Sequence, residues 1–360
     1  MPCRRSTGTG IAKAVAEALS GGPGVAVAAD VHGFPPSWQL DGPPLDDGVA
    51  VLVGTSGSTG DPKGVQLTAD AIGAAVTATH DRLGGPGHWV CPLPLHYVAG
   101  VMTVARSALA GTRLSVVPTD LTLLPRHPGR NYASVVAAQL HRALDDRAIT
   151  ADLARFDAVL VGGSAIPPAL LQRGRSAGVN LVATYGMAET CGGCVYDGLP
   201  LAGVQVAIDL ADRIAITSPA VFSGYRLDPA ATAAALTGRT LRTNDRGRWS
   251  GGRLQVLGRV DDVVITGGVN VDLAAAQRVA DAAFGPARLA LLAVTDERWG
   301  VRIVALTDAA IELAECRARL ADSLQPAAVP RDLRRVAGLP RTSTGKIDRT
   351  GLLRLWAEGG

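Results

Sequence analysis

The chain has 360 residues, which is enough for two or three domains with a large buried core. Hydrophobic residues make up 47% and aromatic residues only 4%, so the core is expected to be aliphatic. A net charge of +3, with neither a basic stripe nor interleaved aromatics, argues against nucleic-acid binding.

The sequence also argues against export and membrane insertion. No apolar run approaches the roughly 20 residues of a membrane-spanning helix. Lys13 and Glu17 interrupt the stretch that would have to be the apolar region of a signal peptide, so we expect a cytoplasmic protein. Five cysteines do not suggest a disulfide framework. Cys191 and Cys194 have CxxC spacing, but we expect them to be small buried or loop cysteines rather than a redox or metal site.

In chain order, helical and strand patterns alternate, which predicts an α/β fold with a large N-terminal domain of layered, mostly parallel sheets. The predicted elements are a helix at 8–20, strands at 25–29 and 49–53, helices at 70–82 and about 100–110, a strand at 114–117, a helix at 133–147, and strands at 158–161 and 181–184. Short alternating strands follow at 204–208, 213–216 and 253–256, which indicates a β-rich subdomain. A small α+β domain is predicted after Asp261, with a strand at 289–294 and a helix at 312–324.

A hydroxyl- and glycine-rich loop at residues 55–64 follows the strand at 49–53. Glycines turn backbone N–H groups toward an anion, and hydroxyls and a lysine add donors. Pro62 precedes Lys63 and Gly64 follows it, so the loop is not a Walker A motif. A flexible surface turn is the alternative interpretation. However, the chain has only three lysines against 32 arginines, which favours a specific role for the compact ammonium of Lys63.

Four further segments carry candidate side chains. His96 lies in a proline-stiffened loop before an apolar helix, which favours a pocket wall. Residues 162–164 and 185–190 each follow a predicted strand, where open α/β sheets bind ligands. Glu189 is a candidate Mg²⁺ ligand, because magnesium in nucleotide sites takes one or two carboxylates plus phosphate oxygens. A tight turn is predicted at Asn244 and Asp245.

Five segments in one order resemble the acyl-adenylate-forming superfamily, which includes acyl-CoA synthetases, luciferases and peptide-synthetase adenylation domains. They are residues 55–64, 185–190, 244–245, 258–268 and 340–349. The resemblance implies that a carboxylate attacks the α-phosphate of MgATP and that a thiol, here coenzyme A, then displaces AMP. It further implies a large domain at 1–258, a hinge at 259–262 and a small mobile lid domain at 263–360.

The resemblance also implies a role for each matching residue. Lys346 is the expected catalytic lysine, acting together with Thr190 and His96. The residues expected to bind ATP are Thr55, Ser56, Gly57, Ser58, Thr59, Lys63, Gly162, Gly163, Ser164, Tyr185, Gly186, Asp245 and Arg259. Glu189 would hold Mg²⁺, Gly267 and Gly268 would meet CoA, and Asp261 would be the hinge.

Two departures from the family pattern accompany the match. The usual Thr-Gly-Asp of the ribose turn is Thr243-Asn244-Asp245 here, which leaves Asp245 available. The N-terminal segment before Thr55 is shorter than in most members of the superfamily. Part of the usual N-terminal subdomain is therefore expected to be missing or shortened. A homodimer is left open.

Residues 92–100 and 185–198 look most like the compact actinobacterial ligases that join 2-succinylbenzoate to CoA. The aromatic carboxylate of such a substrate needs a second cationic or donor-rich pocket, for which His96, Arg106 and Thr190 are candidates. The alternatives are an adenylating enzyme for another aryl or fatty acid, one that loads a carrier-protein thiol, or a nucleotide-binding protein without catalysis. The last is disfavoured because Lys63, Glu189 and Lys346 are all present.

Overall fold

A computed structural model describes residues 3–55, 62–341 and 347–358. The chain divides into two compact units. The first comprises residues 1–207, 215–243 and 250–254, and the second comprises 208–214, 244–249 and 255–360. None of the helices in the described ranges is long and apolar enough to cross a membrane.

The described residues form a mixed α/β structure. Its helices are α1 (Gly10–Leu19), α2 (Ala69–Leu83), α3 (Val98–Ala110), α4 (Ala137–Asp145), α5 (Arg147–Leu153), α6 (Pro168–Ser176), α7 (Pro229–Ala235), α8 (Leu273–Phe284), α9 (Leu313–Ala321) and α10 (Arg349–Glu358). Its strands are β1 (Arg4–Thr7), β2 (Val25–Ala28), β3 (Val49–Gly54), β4 (Gly64–Thr68), β5 (His88–Cys91), β6 (Leu114–Val116), β7 (Asn131–Val136), β8 (Ala158–Gly162), β9 (Leu181–Met187), β10 (Gly192–Tyr196), β11 (Leu199–Pro200), β12 (Gln205–Ile208), β13 (Arg213–Thr217), β14 (Gly224–Tyr225), β15 (Leu236–Thr237), β16 (Thr240–Ser250), β17 (Arg253–Arg259), β18 (Val263–Thr266), β19 (Val269–Asp272), β20 (Leu289–Asp296), β21 (Gly300–Thr307) and β22 (Leu333–Arg335).

Two sheets of the first unit carry the candidate site. One has the order β1-β2-β3-β4-β14, in which β1, β2 and β3 are parallel and β4 and β14 are antiparallel to their neighbours. The other has the order β11-β10-β9-β8-β7-β5-β6, parallel from β6 to β9. The carboxyl ends of the parallel strands therefore lie at one edge, as predicted for ligand binding.

Helices α1, α2 and α3 belong to the main apolar core of this unit. Helix α1 buries Ile11, Ala14, Val15 and Ala18, which share one face at helical spacing. The N-terminus of α2 is capped by Thr68 Oγ1, which accepts a hydrogen bond from the backbone N–H of Ala71 at 3.1 Å. These aliphatic contacts confirm the core composition expected from the sequence.

A third sheet has the order β12-β13-β16-β15, with β17 paired to β16. In the second unit β18 and β19 form an antiparallel hairpin, and β20, β21 and β22 form a sheet on which α8 packs. The core of this sheet is again aliphatic, with Leu289, Leu291, Ile303 and Ala305 buried.

Two local predictions are wrong. The helix predicted at 133–147 starts too early, because residues 131–136 form β7, which lies between β5 and β8 and has five buried residues. The turn predicted at Asn244 and Asp245 is instead the middle of β16. Strand β16 pairs with β13 and β17. At Gly247 in this strand, a Cβ would lie 2.7 Å from Ile214 Cδ1.

Candidate active site

The chain on both sides of residues 56–61 is fixed by strand pairing. Gly54 at the end of β3 pairs with Gly64 at the start of β4, and the backbone N–H of Thr55 donates to the carbonyl oxygen of Lys63 at 3.1 Å. Thr55 and Lys63 therefore lie side by side. The predicted phosphate-binding residues Ser56, Gly57, Ser58 and Thr59 lie outside the described residues, as does Lys346.

Lys63 and Glu189 meet at one tyrosine, Tyr225. The hydroxyl of Tyr225 donates to Glu189 Oε1 at 2.8 Å, and the ammonium of Lys63 lies 4.9 Å from the centroid of the tyrosine ring. Glu189 is only 9% exposed. The predicted phosphate-binding lysine and the predicted metal ligand, which are far apart in sequence, are thus neighbours in the fold.

The predicted adenine-binding residues also come together. Strand β8 is parallel to β9, with Val161 opposite Ala183, so Gly162 at the end of β8 and Gly163 after it lie beside the part of β9 that contains Tyr185 and Gly186. Glycine is required at 162, since a Cβ there would lie 2.3 Å from Thr184 Oγ1. Gly163 has φ of +81°, a left-handed conformation that favours glycine. Ser164 follows as an exposed residue.

Thr190 is fully buried, and its hydroxyl holds the turn between β9 and β10. The hydroxyl accepts from the backbone N–H of Met187 at 2.9 Å and can donate to the carbonyl oxygen of Gly192 at 2.7 Å. A hydroxyl has one proton to donate. The predicted contact of Thr190 with the α-phosphate would therefore require this proton to leave its backbone acceptor.

His96 lies in the loop before α3 and packs against Tyr97, with ring centroids 4.2 Å apart. Burial lowers the pKa of His96 from its ordinary value of 6.5, and the nearby negative charge of Asp30 partly opposes the shift. The side chain is thus neutral at pH 7. Its role toward a substrate would be that of a hydrogen-bonding group rather than a cation.

Arg106 is not beside His96. From Tyr97, the residue before α3, Arg106 is nine residues further along the helix, which corresponds to about 13 Å of helical rise. It is 4% exposed, its guanidinium stacks over Trp89 at 4.8 Å, and its Nη2 lies 3.5 Å from the hydroxyl of Tyr196. No carboxylate of the described residues pairs with Arg106, and its buried Nε lacks a hydrogen-bond partner.

Helix α3 connects the surroundings of Thr190 with those of Arg106. Met102 and Arg106 are four residues apart, so they share one helix face. A Cβ at Gly192, on β10, would lie 3.5 Å from Met102 Cγ, and Tyr196, at the far end of β10, meets Arg106. The face of α3 therefore follows β10 from the turn at Thr190 toward the buried guanidinium.

The remaining predicted residues belong to the second unit. Arg259 is paired with Asp261 through two hydrogen bonds of 2.8 and 2.7 Å, and its Nη1 lies 4.0 Å from Asp245. Gly267 and Gly268 form the two-residue tip of the hairpin of β18 and β19, with φ of +55° and +81°. Positive φ at both positions is the requirement of a type I′ turn, which explains the glycine pair.

Cys191 and Cys194 are both free thiols buried in the first unit. Burial raises the pKa of Cys194 to about 12, and burial together with the charge of Cys194 raises the pKa of Cys191. Burial therefore disfavours the thiolate form that nucleophilic attack requires.

Sequence reasoning missed three residues beside the loop at 55–64. Tyr225 is described above. Its neighbour Arg226 is 5% exposed and donates to the carbonyl oxygens of Trp38, Gln39, Pro43 and Pro44. Trp38 in turn donates from Nε1 to the carbonyl oxygen of Pro62 at 2.8 Å. For Tyr225 and Trp38 the sequence signal is that aromatics make up only 4% of this chain, and Arg226 has no such signal.

This arrangement is that of an adenylate-forming enzyme. A family model of AMP-binding enzymes matches residues 15–225, and the chain belongs to this family. A probable 2-succinylbenzoate–CoA ligase of Mycobacterium tuberculosis is 42% identical over 337 residues, which is 88% of this chain and 87% of that protein. A 2-succinylbenzoate–CoA ligase of Geobacillus kaustophilus is 30% identical over 85% of this chain and 69% of its own length.

A solved structure supports the fold independently. The o-succinylbenzoate CoA synthetase of Bacillus subtilis, in complex with the acyl-adenylate intermediate OSB-AMP, matches 97% of this chain and 82% of its own length. The TM-score is 0.75 and the sequence identity 22%. The predicted fold class and family are therefore confirmed.

The described residues fit the magnesium ion that is typical of this family. They contain no group of three or more His, Cys, Asp or Glu side chains that could hold a metal by itself. The buried carboxylate of Glu189 instead shares a contact residue, Tyr225, with Lys63. Mg²⁺ in nucleotide sites takes one or two carboxylates and completes its octahedron with phosphate oxygens and water. Glu189 is the residue that would hold it.

Proposed function

We propose that this chain is an acid–thiol ligase that activates 2-succinylbenzoate with ATP and transfers the acyl group to coenzyme A, a step of menaquinone biosynthesis. Family membership supports ATP-dependent adenylation. The relatives with 42% and 30% identity bear the names of ligases for this acid.

The observation that supports 2-succinylbenzoate as the acid is the buried guanidinium of Arg106. A buried cation without a paired anion is costly, and its unpartnered Nε requires an acceptor. His80 Nε2 and Trp89 Nε1 are likewise buried without partners. An acid whose second carboxylate reaches Arg106 along α3 would supply the missing anion. A fatty acid, with an apolar tail, would leave all three groups unsatisfied.

The proposed first half-reaction joins two anions, so charge must be neutralised before attack. Lys63, with Thr55 and the hydroxyls at 56, 58 and 59, would hold the β- and γ-phosphates. Lys346 would lie between the substrate carboxylate and the α-phosphate, where charge develops. Mg²⁺, held by Glu189, would neutralise phosphate oxygens when bound.

The proposed nucleotide site has two further parts. Gly162, Gly163, Ser164, Tyr185 and Gly186 would hold adenine, and Asp245 and Arg259 would bind ribose. Thr190 would contact the α-phosphate, and His96 would form a wall of the acid pocket.

The second half-reaction requires Lys346 to leave and a thiol to enter. We place the hinge for this exchange at Asp261, within 259–262, between a domain at 1–258 and a lid at 263–360. Gly267 and Gly268 would then meet CoA. A cytoplasmic location and a homodimer complete the proposal; cell fractionation and analytical ultracentrifugation test these two points.

The experiment that tests the function is a paired assay on the purified chain with ATP, Mg²⁺ and CoA. Pyrophosphate release and thioester formation are both expected with 2-succinylbenzoate. Activity with fatty acids alone would refute the choice of acid. Lys346→Ala should abolish pyrophosphate release while thioester formation from supplied acyl-adenylate continues, an outcome that a non-catalytic nucleotide-binding protein would not produce.

A further inference from the structure

Tyr225 touches two oppositely charged residues that serve different parts of the nucleotide. Its hydroxyl lies 2.8 Å from Glu189 Oε1, and the face of its ring lies 4.9 Å from the ammonium of Lys63. A ring face attracts a cation through its quadrupole, and a phenol donates to a carboxylate through its proton. One side chain thus holds an anion and a cation by two independent interactions.

The hydroxyl of Tyr225 has one proton to donate, and the carboxylate oxygen Oε1 of Glu189, 2.8 Å away, is its acceptor. This hydrogen bond uses one lone pair of Oε1, and the remaining lone pairs of the carboxylate stay available to a cation. The main chain of Glu189 is fixed by the same segment, since the backbone N–H of Phe222 donates to its carbonyl oxygen at 2.9 Å.

The ring is held as firmly as the hydroxyl. Tyr225 pairs with Val65 across β14 and β4, which brings it beside Lys63, two residues before Val65. Its backbone N–H donates to Thr232 Oγ1 at 2.9 Å, and Phe222 packs edge-on against its ring at 4.8 Å. A rigid platform of this kind loses little freedom when a ligand binds.

We propose that Tyr225 is a positioning residue for the metal–nucleotide complex: it aims the Glu189 carboxylate at the divalent cation and the Lys63 ammonium at the phosphates. It thereby sets the spacing between the two charged groups. This inference rests on the proposed function only in taking ATP and a divalent cation as ligands. It does not depend on which acid is activated.

The two interactions can be removed separately. Tyr225→Phe removes the hydroxyl and keeps the ring, whereas Tyr225→Leu removes both. Binding is measured by calorimetry without any acid, first with ATP and EDTA and then by titrating Mn²⁺ or Mg²⁺ into the protein–ATP complex. Tyr225→Phe should weaken cation binding by about tenfold, the range seen when a partner of a metal ligand is lost, and leave metal-free ATP binding unchanged.

Tyr225→Leu should weaken both cation binding and metal-free ATP binding. Metal-free ATP binding should fall by about threefold, which corresponds to loss of an exposed cation–π contact. A further variant, Tyr225→Phe combined with Glu189→Gln, should bind the cation no more weakly than Glu189→Gln alone, because the hydroxyl acts through that carboxylate. An additive loss would overturn the assignment.

Tyr132→Phe is the matched control. Tyr132 is also buried, and its hydroxyl lies 3.1 and 2.9 Å from the carbonyl oxygens of Leu83 and Gly85, so its acceptor is a backbone carbonyl rather than a carboxylate. If Tyr132→Phe shifts cation binding as much as Tyr225→Phe does, or if Tyr225→Phe titrates like the wild type, Tyr225 has no positioning role. Lack of turnover of 2-succinylbenzoate by the wild type would refute the proposed function and leave this binding test intact.

Discussion

The indole Nε1 of Trp38 donates a hydrogen bond to the carbonyl oxygen of Pro62 at 2.8 Å. Trp38 is 2% exposed and is itself held through its carbonyl oxygen by Arg226. Because Pro62 directly precedes Lys63, this bond fixes the main chain from which the proposed phosphate-binding lysine extends. The nucleotide site is thus supported from a segment far earlier in the sequence.

Trp38→Phe should therefore weaken ATP binding. Loss of a neutral hydrogen bond of about 1 kcal/mol predicts a rise in the KM for ATP of about fivefold, with the KM for the acid unchanged. Steady-state kinetics with each substrate varied in turn measures this. Trp89→Phe is the control, because Trp89 is equally buried but its Nε1 has no hydrogen-bond partner to lose. An equal effect of both substitutions on the KM for ATP would contradict the explanation.

Gly186 permits the close pairing of β9 and β10. It lies opposite Gly193, and a Cβ at this position would lie 1.9 Å from the carbonyl oxygen of Gly192. Gly186→Ala should therefore destabilise the protein by at least about 2 kcal/mol, since backbone must move. Gly73, within α2, has no heavy atom within 4 Å of such a Cβ, so Gly73→Ala should stabilise by about 0.5–1 kcal/mol.

Urea unfolding of both variants measures the difference. The same chemical change, glycine to alanine, should lower the free energy of unfolding at residue 186 and raise it at residue 73. This difference separates the effect of steric contact from the general effect of replacing glycine. If Gly186→Ala unfolds at the same urea concentration as the wild type, the observed pairing geometry is not required.

The parts of the site that the sequence could predict are those whose chemistry is local. Glycines and hydroxyls in short loops after strands indicate phosphate and nucleotide binding wherever the loops fold, and Gly162, Gly163 and Gly186 do come together. Tyr225 could not be found in this way. Its contact with Glu189 joins residues 36 positions apart, and it depends on the pairing of β14 with β4, for which no local pattern exists.

The two wrong predictions have related causes. The helix predicted from residue 133 is wrong at its start because Ala133 and Val135 are buried in a parallel sheet, where tertiary contacts override helical propensity. At Asn244 and Asp245, residues typical of turns form part of a long strand instead. Strand β16 pairs with β13 and β17, and these contacts exist only in the folded protein.

Two histidines make stability depend on pH. Burial lowers the pKa of His80, the positive charge of Arg106 adds to this shift, and Asp81 opposes it. Burial also lowers the pKa of His96. In the unfolded chain both titrate near 6.5, so below that pH the unfolded state binds more protons than the folded one. Stability should therefore fall as pH drops below about 6.5, by at most about 1.4 kcal/mol per pH unit for each histidine.

His80→Leu tests this dependence, because it removes the titrating group at a buried position. Urea unfolding at pH 8, 6.5 and 5.5 should show a shallower loss of stability in the variant than in the wild type. His32→Gln, at an exposed position, controls for loss of a histidine as such. If the wild-type and His80→Leu curves run parallel across this range, protonation of His80 does not contribute.

Arg106 offers the sharpest test of substrate choice. Arg106→Met keeps an unbranched apolar chain beside Trp89 and removes the buried charge. Loss of a charged hydrogen bond of about 1.5–3 kcal/mol predicts that kcat/KM for 2-succinylbenzoate falls by about 10- to 150-fold. The analogue 4-oxo-4-phenylbutanoate lacks only the ring carboxylate, so the wild type should use it poorly.

The variant should use this analogue at least as well as the wild type does, because neither pocket nor ligand then carries an unpaired charge. The relevant measurement is the ratio of kcat/KM for the two acids, with melting temperatures recorded for both proteins. A structural role for Arg106 would lower kcat/KM for both acids by the same factor and leave the ratio unchanged. A ratio that falls toward one identifies Arg106 as the partner of the aromatic carboxylate.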